Sequence, residues 1–145
     1  MRRRQCMAWA LGATLSFLSY GTVQAAEVKG AAILDTPCGK VAVKQMGLLH
    51  AGKFDEANKL STKEMQDQWK AMPAKDRAMM SDMSKEMSQT EAQYAADIKS
   101  SGVLVENGQS ATLTVKKTTK DVNGSRTSTT TQEFRTTGSE CLVSR

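Results

Sequence analysis

Catalytic signatures are scarce in this 145-residue sequence, which has one histidine, His50, and only 5% aromatic residues. A lone histidine without a nearby nucleophile motif is a poor general base, and its place at a helix end suits the helix dipole. The nucleophile elbow G-x-S-x-G, the zinc motif H-E-x-x-H, the phosphate loop and the dinucleotide glycines are all absent. We therefore expect a protein that is not an enzyme and uses no metal or cofactor. A small hydrolase or isomerase that assembles scattered carboxylates is the alternative.

The only long apolar run is too short for a stable membrane anchor, which needs about 20 residues. It is the mostly apolar segment "MAWALGATLSFLSY" (7–20), and it follows three arginines and precedes "GTVQA", with Val23 and Ala25 as small residues before a cut. This order is typical of a secretory signal. We predict a signal peptide over residues 1–25 and one domain over 26–145, periplasmic or secreted. Cleavage after Ala26 and an uncleaved inner-membrane anchor are the alternatives.

The basic charge resides partly in that leader. The chain carries a formal net charge of +5, but Arg2, Arg3 and Arg4 belong to residues 1–25, which hold no acidic residue. Removing them leaves a nearly balanced domain. The composition therefore argues against a nucleic-acid partner or a charged membrane-surface partner.

Cysteine is also rare, with three residues of which Cys6 lies in the predicted leader. The remaining pair, Cys38 and Cys141, favours a disulfide in an exported protein. It would join the first helix to the last strand. The alternative is a reactive Cys38 thiol, because a helix start favours the thiolate.

Helices are expected in the first part of the domain. "TPCGKVAVKQMGLLHAG" has Thr36 as a cap, Pro37 at the first helical position and Gly52 as a left-handed stop. "FDEANKL" (54–60) reads as a short amphipathic turn. "STKEMQDQWKAM" (61–72) opens with a serine and a glutamate in capping-box spacing. A longer helix is predicted from Pro73 to about Ser100, stopped by Gly102.

Strands are expected after residue 102, where proline and methionine are absent and β-branched residues dominate. Four segments fit: "GVLVE" (102–106), "SATLTVKK" (110–117), "SRTSTTTQEF" (125–134) and "ECLVS" (140–144), and "NG" pairs supply two tight turns between them. Helices followed by a strand meander predict an α+β fold, in which N-terminal helices pack on a curved antiparallel four-stranded sheet.

The phrase "GKFDEA", at Gly52–Ala57, follows one helix and precedes a helical hairpin and the strands. In this order it resembles the nuclear-transport-factor-2-like superfamily, particularly small exported bacterial members of uncharacterised function. The resemblance covers roughly residues 35–144, although many members end in an aromatic strand where this chain has "SECLVSR". It implies a cone with a cavity between sheet and helices, and a homodimer formed through the sheet. Members range from enzymes to inert scaffolds, so it implies no particular activity.

Methionine is unusually frequent in "RAMMSDMSKEMSQ" (77–89). Met80, Met83 and Met87, continued by Tyr94 and Ile98, fall on one helical face, which predicts a core stripe packed on the sheet. The alternatives are a thioether site for Cu(I) and a partner-binding face.

A candidate pocket follows from strand alternation. If Phe134 points inward, Gln132 and Thr130 lie on the same face of the strand. This face would then carry polar side chains that line a pocket and end at a buried phenylalanine. With Trp69 and Tyr94 from the helices, these residues are the predicted ligand-binding set.

These observations predict a non-enzymatic periplasmic or secreted domain that binds a small ligand or an envelope protein. The alternative function is an inhibitor or immunity-type protein that blocks a toxin or a cell-wall hydrolase.

Overall fold

A single five-stranded antiparallel sheet organises the computed structural model, which describes residues 24–122 and 124–145. The helices are α1 (Pro37–His50), α2 (Phe54–Asn58), α3 (Lys63–Ala71), α4 (Ala74–Met87) and α5 (Glu91–Ser101), preceded by a 3₁₀ helix (Gly30–Asp35). The strands, which are neighbours in chain order, are β1 (Ala26–Lys29), β2 (Val103–Asn107), β3 (Ser110–Asp121), β4 (Gly124–Thr137) and β5 (Glu140–Val143). The α+β prediction is confirmed, whereas the predicted leader lies almost entirely outside the described residues.

The first helix begins and ends as its sequence predicts. Pro37 occupies the first turn, and the Thr36 hydroxyl accepts a hydrogen bond from the Gly39 N–H at 3.0 Å. Gly52 has a φ of 73°, which glycine adopts without strain. Gly39 has a second role, because a Cβ there would lie 1.9 Å from the Ile33 carbonyl oxygen. The absence of a side chain lets α1 pack directly on the 3₁₀ helix.

The core lies between one face of the sheet and α1, α5 and the 3₁₀ helix. Alternate strand residues point to this face, as the sequence predicts for β3 and β4: Leu104, Leu113 and Phe134 are buried, and they sit on adjacent strands. Ile33 and Ile98 close the core from the helical side. Each such side chain contributes about 1.5–3 kcal/mol when fully buried.

The predicted disulfide between Cys38 and Cys141 is confirmed. The two Cα atoms are 5.1 Å apart, and both residues are buried. The bond joins the first turn of α1 to β5 across a sequence separation of 103 residues. Closing a loop of this size stabilises the fold mainly by restricting the unfolded chain.

The prediction of four strands is wrong, because β1 adds a fifth. Its four residues, "AEVK", pair with β2 from Ala26 opposite Glu106 to Lys29 opposite Val103. Only Val28 among them is even partly buried. A segment held mainly by backbone pairing carries no hydrophobic period, so no pattern of side chains predicts this strand.

The single long helix predicted from Pro73 to Ser100 is also wrong. The chain leaves helical geometry at Ser88 and re-enters it after Thr90, so two helices, α4 and α5, replace one. Thr90 and Gln93 form a capping box, in which the threonine hydroxyl accepts from the Gln93 N–H and the glutamine side chain accepts from the Thr90 N–H. This T-x-x-Q signature is present in the sequence and predicts a helix start.

The capping box predicted at Ser61 is absent, because the N-cap of α3 is Thr62. Ser61 is instead buried and forms an isolated bridge to Val143, and its backbone neighbours bond to β5 on both sides. The serine therefore joins the α2–α3 segment to the edge of the sheet.

The methionine stripe is not core, which corrects the prediction for this segment. No residue of α4 is buried, and Met83 and Met87 are 52% and 78% exposed. The stripe becomes buried only in α5, at Tyr94 and Ile98. Within residues 24–122 and 124–145, no helix has the length and apolarity needed to cross a membrane.

Candidate functional site

A groove runs along the helical face of the sheet, where α1, α4 and the start of α5 approach β3 and β4. It consists of two hollows, of about 310 Å³ and about 440 Å³, and both are lined by Met46 of α1 and Thr130 of β4. At this place the polar side chains of β4 precede its one buried apolar residue, Phe134.

The first hollow combines apolar walls with a chain of amides. Met46, Leu49 and Phe54 are among its apolar lining residues. At its floor, the Gln132 side-chain N–H donates to the Gln45 Oε1 at 2.5 Å, and the Gln45 N–H donates to the Ser61 hydroxyl at 3.3 Å.

This chain of hydrogen bonds fixes the orientation of Gln132. Its Nε2 is committed to Gln45, whereas its Oε1 is buried and accepts no hydrogen bond within the described part of the protein. A buried acceptor without a partner costs free energy, so the native site gains from any donor that reaches it. The hollow therefore offers one free acceptor among apolar walls.

The second hollow contains a buried phenol. Tyr94 is 2% exposed, and its hydroxyl has no hydrogen-bond partner among the residues described. Burial raises the pKa of Tyr94 to about 12, and the negative charge of Asp97 adds to this effect. The phenol therefore keeps its proton at neutral pH and is available as a hydrogen-bond donor.

Charged and polar groups surround the phenol on the solvent side. Asp97 accepts a hydrogen bond from the Gln89 amide at 3.0 Å, and the Lys117 ammonium lies 3.9 Å from the same carboxylate. Glu86 also lines this hollow. Two acids and one lysine make the mouth slightly negative, so it disfavours an anionic group at the position of the phenol.

Three of the four predicted ligand-binding residues lie along this groove. Thr130 lines both hollows, Gln132 lines the first and Tyr94 lines the second. Trp69 lies elsewhere: its indole N–H donates to Asp55 at 3.0 Å, and its ring stacks on Phe54 with centroids 4.0 Å apart. Trp69 thus holds α3 against α2, and it lines a separate shallow hollow on the surface.

Sequence reasoning missed Gln45, which is buried and central to the first hollow. A signal was available, because this polar residue interrupts the apolar stripe of α1 immediately before Met46. A buried glutamine on a core-facing helix needs a hydrogen-bond partner, and that partner is the polar strand residue Gln132.

His50 has a structural contact. Its Nδ1 lies 3.2 Å from the Ser88 carbonyl oxygen, which links the end of α1 to the end of α4. Among the described residues, no three His, Cys, Asp or Glu side chains are grouped to hold a metal ion.

Comparisons of the chain with family models, with curated proteins and with solved structures found no match. The groove therefore has to be interpreted from its own chemistry.

Proposed function

We propose that the protein is an exported, non-enzymatic binding domain that holds a small ligand in the groove between α1, α4 and β4. One observation carries the proposal: two buried groups that have no hydrogen-bond partner among the described residues, the Tyr94 hydroxyl and the Gln132 Oε1, belong to side chains that line the two adjoining hollows of one groove. Buried polar groups are normally paired, and an unpaired one in a cavity indicates a missing partner. Two of them in one groove favour a ligand over coincidence.

The chemistry of the groove restricts the ligand. A hydrogen-bond acceptor is needed at the phenol, and a donor is needed at the Gln132 carbonyl oxygen. The apolar walls formed by Met46, Leu49 and Phe54 favour an apolar body between these two polar ends. Because Asp97 and Glu86 lie near the phenol, the end that meets it is neutral and not anionic.

Export of the protein is part of the proposal. The described residues contain a disulfide, which persists in oxidising compartments. In addition, β1 begins at Ala26, so that cleavage after Ala25 leaves the whole sheet intact. A periplasmic or secreted location after removal of residues 1–25 agrees with both observations. Membership of the nuclear-transport-factor-2-like superfamily remains a proposal that rests on "GKFDEA" and on the order of elements.

Native mass spectrometry of the protein purified from the periplasm tests this function. We expect a species heavier than the mature chain by the mass of one small molecule, and no reaction with a thiol-alkylating reagent. In Tyr94→Phe the bound fraction should fall, with about 10-fold weaker retention, because one buried hydrogen bond is worth about 1–1.5 kcal/mol. A wild-type protein that carries no ligand and takes up none from a periplasmic extract contradicts the proposal.

A matched control separates binding from folding. Thr118→Ala removes a hydroxyl at an exposed position of β3, outside the residues that line either hollow. This variant should retain the ligand like the wild type. The ligand-free Tyr94→Phe protein should unfold at or above the wild-type temperature, because the substitution removes a buried hydroxyl that has no partner in the described part of the chain. A large loss of stability in this variant would show that the hydroxyl is paired inside the protein.

A second candidate function, binding of an envelope protein, is favoured by the exposed methionines of α4. Met79, Met83 and Met87 are 64%, 52% and 78% exposed and recur every four residues, so they form one apolar stripe on the helix surface. Flexible thioether side chains adapt to varied partners. An inhibitor or immunity-type protein would use such a surface. Photo-crosslinking from position 83, with the exposed Lys70 of α3 as the control position, distinguishes this function from ligand binding.

A further inference from the structure

The hairpin of β3 and β4 extends beyond the rest of the sheet. β2 pairs with β3 only as far as Thr114, and β5 pairs with β4 only from Phe134 onward. Past these points, within residues 24–122 and 124–145, the two long strands pair only with each other, up to Asp121 opposite Gly124. Every residue of β4 from 124 to 131 is exposed. We refer to this two-stranded part, residues 117–131, as the ribbon.

The outer edge of β4 in the ribbon presents backbone groups with no strand beside it in the described part of the chain. Glu133 donates its N–H to the Arg145 carbonyl and accepts from the Ser144 N–H, so residue 133 faces away from β3. Backbone direction alternates along an antiparallel strand. The N–H and C=O groups of the odd-numbered residues therefore also point away from β3, at Ser125, Thr127, Thr129 and Thr131. Such a row of N–H and C=O groups is a template for another strand.

The two edges of the ribbon differ in charge. The β3 side carries exposed Lys116, Lys117 and Lys120, which would repel a second copy of the same edge. Over residues 124–131, β4 carries a single charged residue, Arg126, among threonines and serines. The β4 edge is therefore open to pairing with itself, whereas the β3 edge is protected against it.

We propose that the chain forms a homodimer by antiparallel pairing of β4 with β4 of a second copy, with Ser128 opposite its own counterpart. This register pairs Ser125 with Thr131 and Thr127 with Thr129 in both directions, and it forms about eight backbone hydrogen bonds. This register pairs the outward backbone groups of all four odd-numbered residues. It leaves the backbone of Glu133 hydrogen-bonded to Ser144 and Arg145.

Side chains also fit this register. Arg126 lies opposite Thr130 of the second copy, so no like charges face each other. Thr127 faces Thr129 of the second copy, and threonine pairs of this kind stabilise neighbouring antiparallel strands. Shifting the register by two residues would place Ser125 opposite Glu133, whose backbone is already bonded to the C-terminal residues. The dimer continues the sheet through two ribbons, and it adjoins the groove, because Ser128 and Thr130 also line the second hollow.

The charge at position 128 tests this arrangement. Wild-type protein should be dimeric by analytical ultracentrifugation at about 100 μM, which requires a Kd of about 10 μM or below. Ser128→Lys and Ser128→Glu should each dimerise at least about 10-fold more weakly, because they place like charges across the two-fold axis. An equimolar mixture of these two variants should form the mixed dimer. Wild-type protein that is monomeric at this concentration overturns the proposal.

Cysteine substitutions test the register. Opposite residues in a non-hydrogen-bonded pair have Cα atoms about 4.5 Å apart, within reach of a disulfide. Ser128→Cys should therefore crosslink to itself under mild oxidation. Arg126→Cys and Thr130→Cys should crosslink when mixed, whereas Thr118→Cys on β3 should stay monomeric. Equal crosslinking of Thr118→Cys, or a dimer unaffected by both charged variants at position 128, would place the contact elsewhere.

Discussion

Helices α4 and α5 are consecutive and amphipathic by sequence, yet only one of them belongs to the core. α5 buries Tyr94 and Ile98 at 2% and 0% exposure, whereas α4 buries no residue over its fourteen positions. Helical spacing connects Met80, Met83 and Met87 to Tyr94 and Ile98 as if they formed one face. The comparison shows that a periodic stripe identifies a face without identifying what covers it.

The reason for the difference lies at the break between the two helices. The capping box at Thr90 restarts the helix in a new direction, and α5 then packs on β3 and on the 3₁₀ helix. α4 lies against the end of α1 instead, where its Ser88 carbonyl meets His50 and its Lys85 side chain lies beside Gly52. Met79, Met83 and Met87 are left exposed on its surface.

Ile98→Ala should have the largest effect on stability. Its side chain is fully buried between α5 and the sheet, and removing it leaves a cavity that the packed core cannot fill. We expect a loss of about 2–5 kcal/mol in the free energy of unfolding, measured by urea denaturation. The m value, which is the slope of this free energy against urea concentration, should not change. Ile98→Val should cost about 0.5–1.5 kcal/mol. A loss below 0.5 kcal/mol for the alanine variant would show that α5 is no better packed than α4.

Tyr94 gives the packing of α5 a pH dependence. The folded protein raises the pKa of this phenol to about 12, mainly through burial and then through Asp97, from its ordinary value of 10.0. Below about pH 10 the ionisation of this group leaves the free energy of unfolding unchanged. As the pH rises from about 10 toward about 12 that free energy falls, because the unfolded chain ionises first. The difference corresponds to about 2–3 kcal/mol.

The check is the free energy of unfolding between about pH 9 and pH 12, compared for wild type and Tyr94→Phe. The wild type should lose more stability over this interval, because other alkaline titrations are common to both proteins. The absorbance of ionised tyrosine should rise only as the protein unfolds. Parallel curves for the two proteins would show that the phenol is accessible to solvent in the folded state.

Much of the fold follows from local signals in the sequence, and the failures have physical causes. Local patterns of a few residues predict the helix cap at Thr36, the helix end at Gly52 and the buried position of Phe134. The disulfide partners follow because the third cysteine, Cys6, lies in the predicted leader. β1 was missed because backbone pairing leaves no side-chain pattern. Of the groove, Tyr94, Thr130 and Gln132 were predictable by alternation and helical spacing. Their partner Gln45 was not, because the pairing depends on how α1 crosses the sheet.

Thr90→Ala tests whether the break itself separates the two helices. The variant removes the hydroxyl that accepts from the Gln93 N–H at 3.2 Å, and loss of a helix cap costs about 1 kcal/mol. We expect this loss in urea denaturation, with increased hydrogen exchange in the first turn of α5. Thr90→Ser keeps the accepting oxygen and should retain most of the stability. Equal losses in both variants would assign the effect to packing of the threonine methyl group.

The smallest effect is expected for α4, where Met79→Gln, Met83→Gln and Met87→Gln should each change the free energy of unfolding by less than about 0.5 kcal/mol. These side chains are at least half exposed, and glutamine has a helix propensity close to that of methionine. Any loss of partner binding in the triple variant could then be assigned to the surface and not to the fold. A loss above about 2 kcal/mol would mean that the stripe is covered in the native protein, as only a core position gives such a value. That outcome would show that the methionines of α4 are buried, as Tyr94 and Ile98 of α5 are, and that the two helices do not differ in packing.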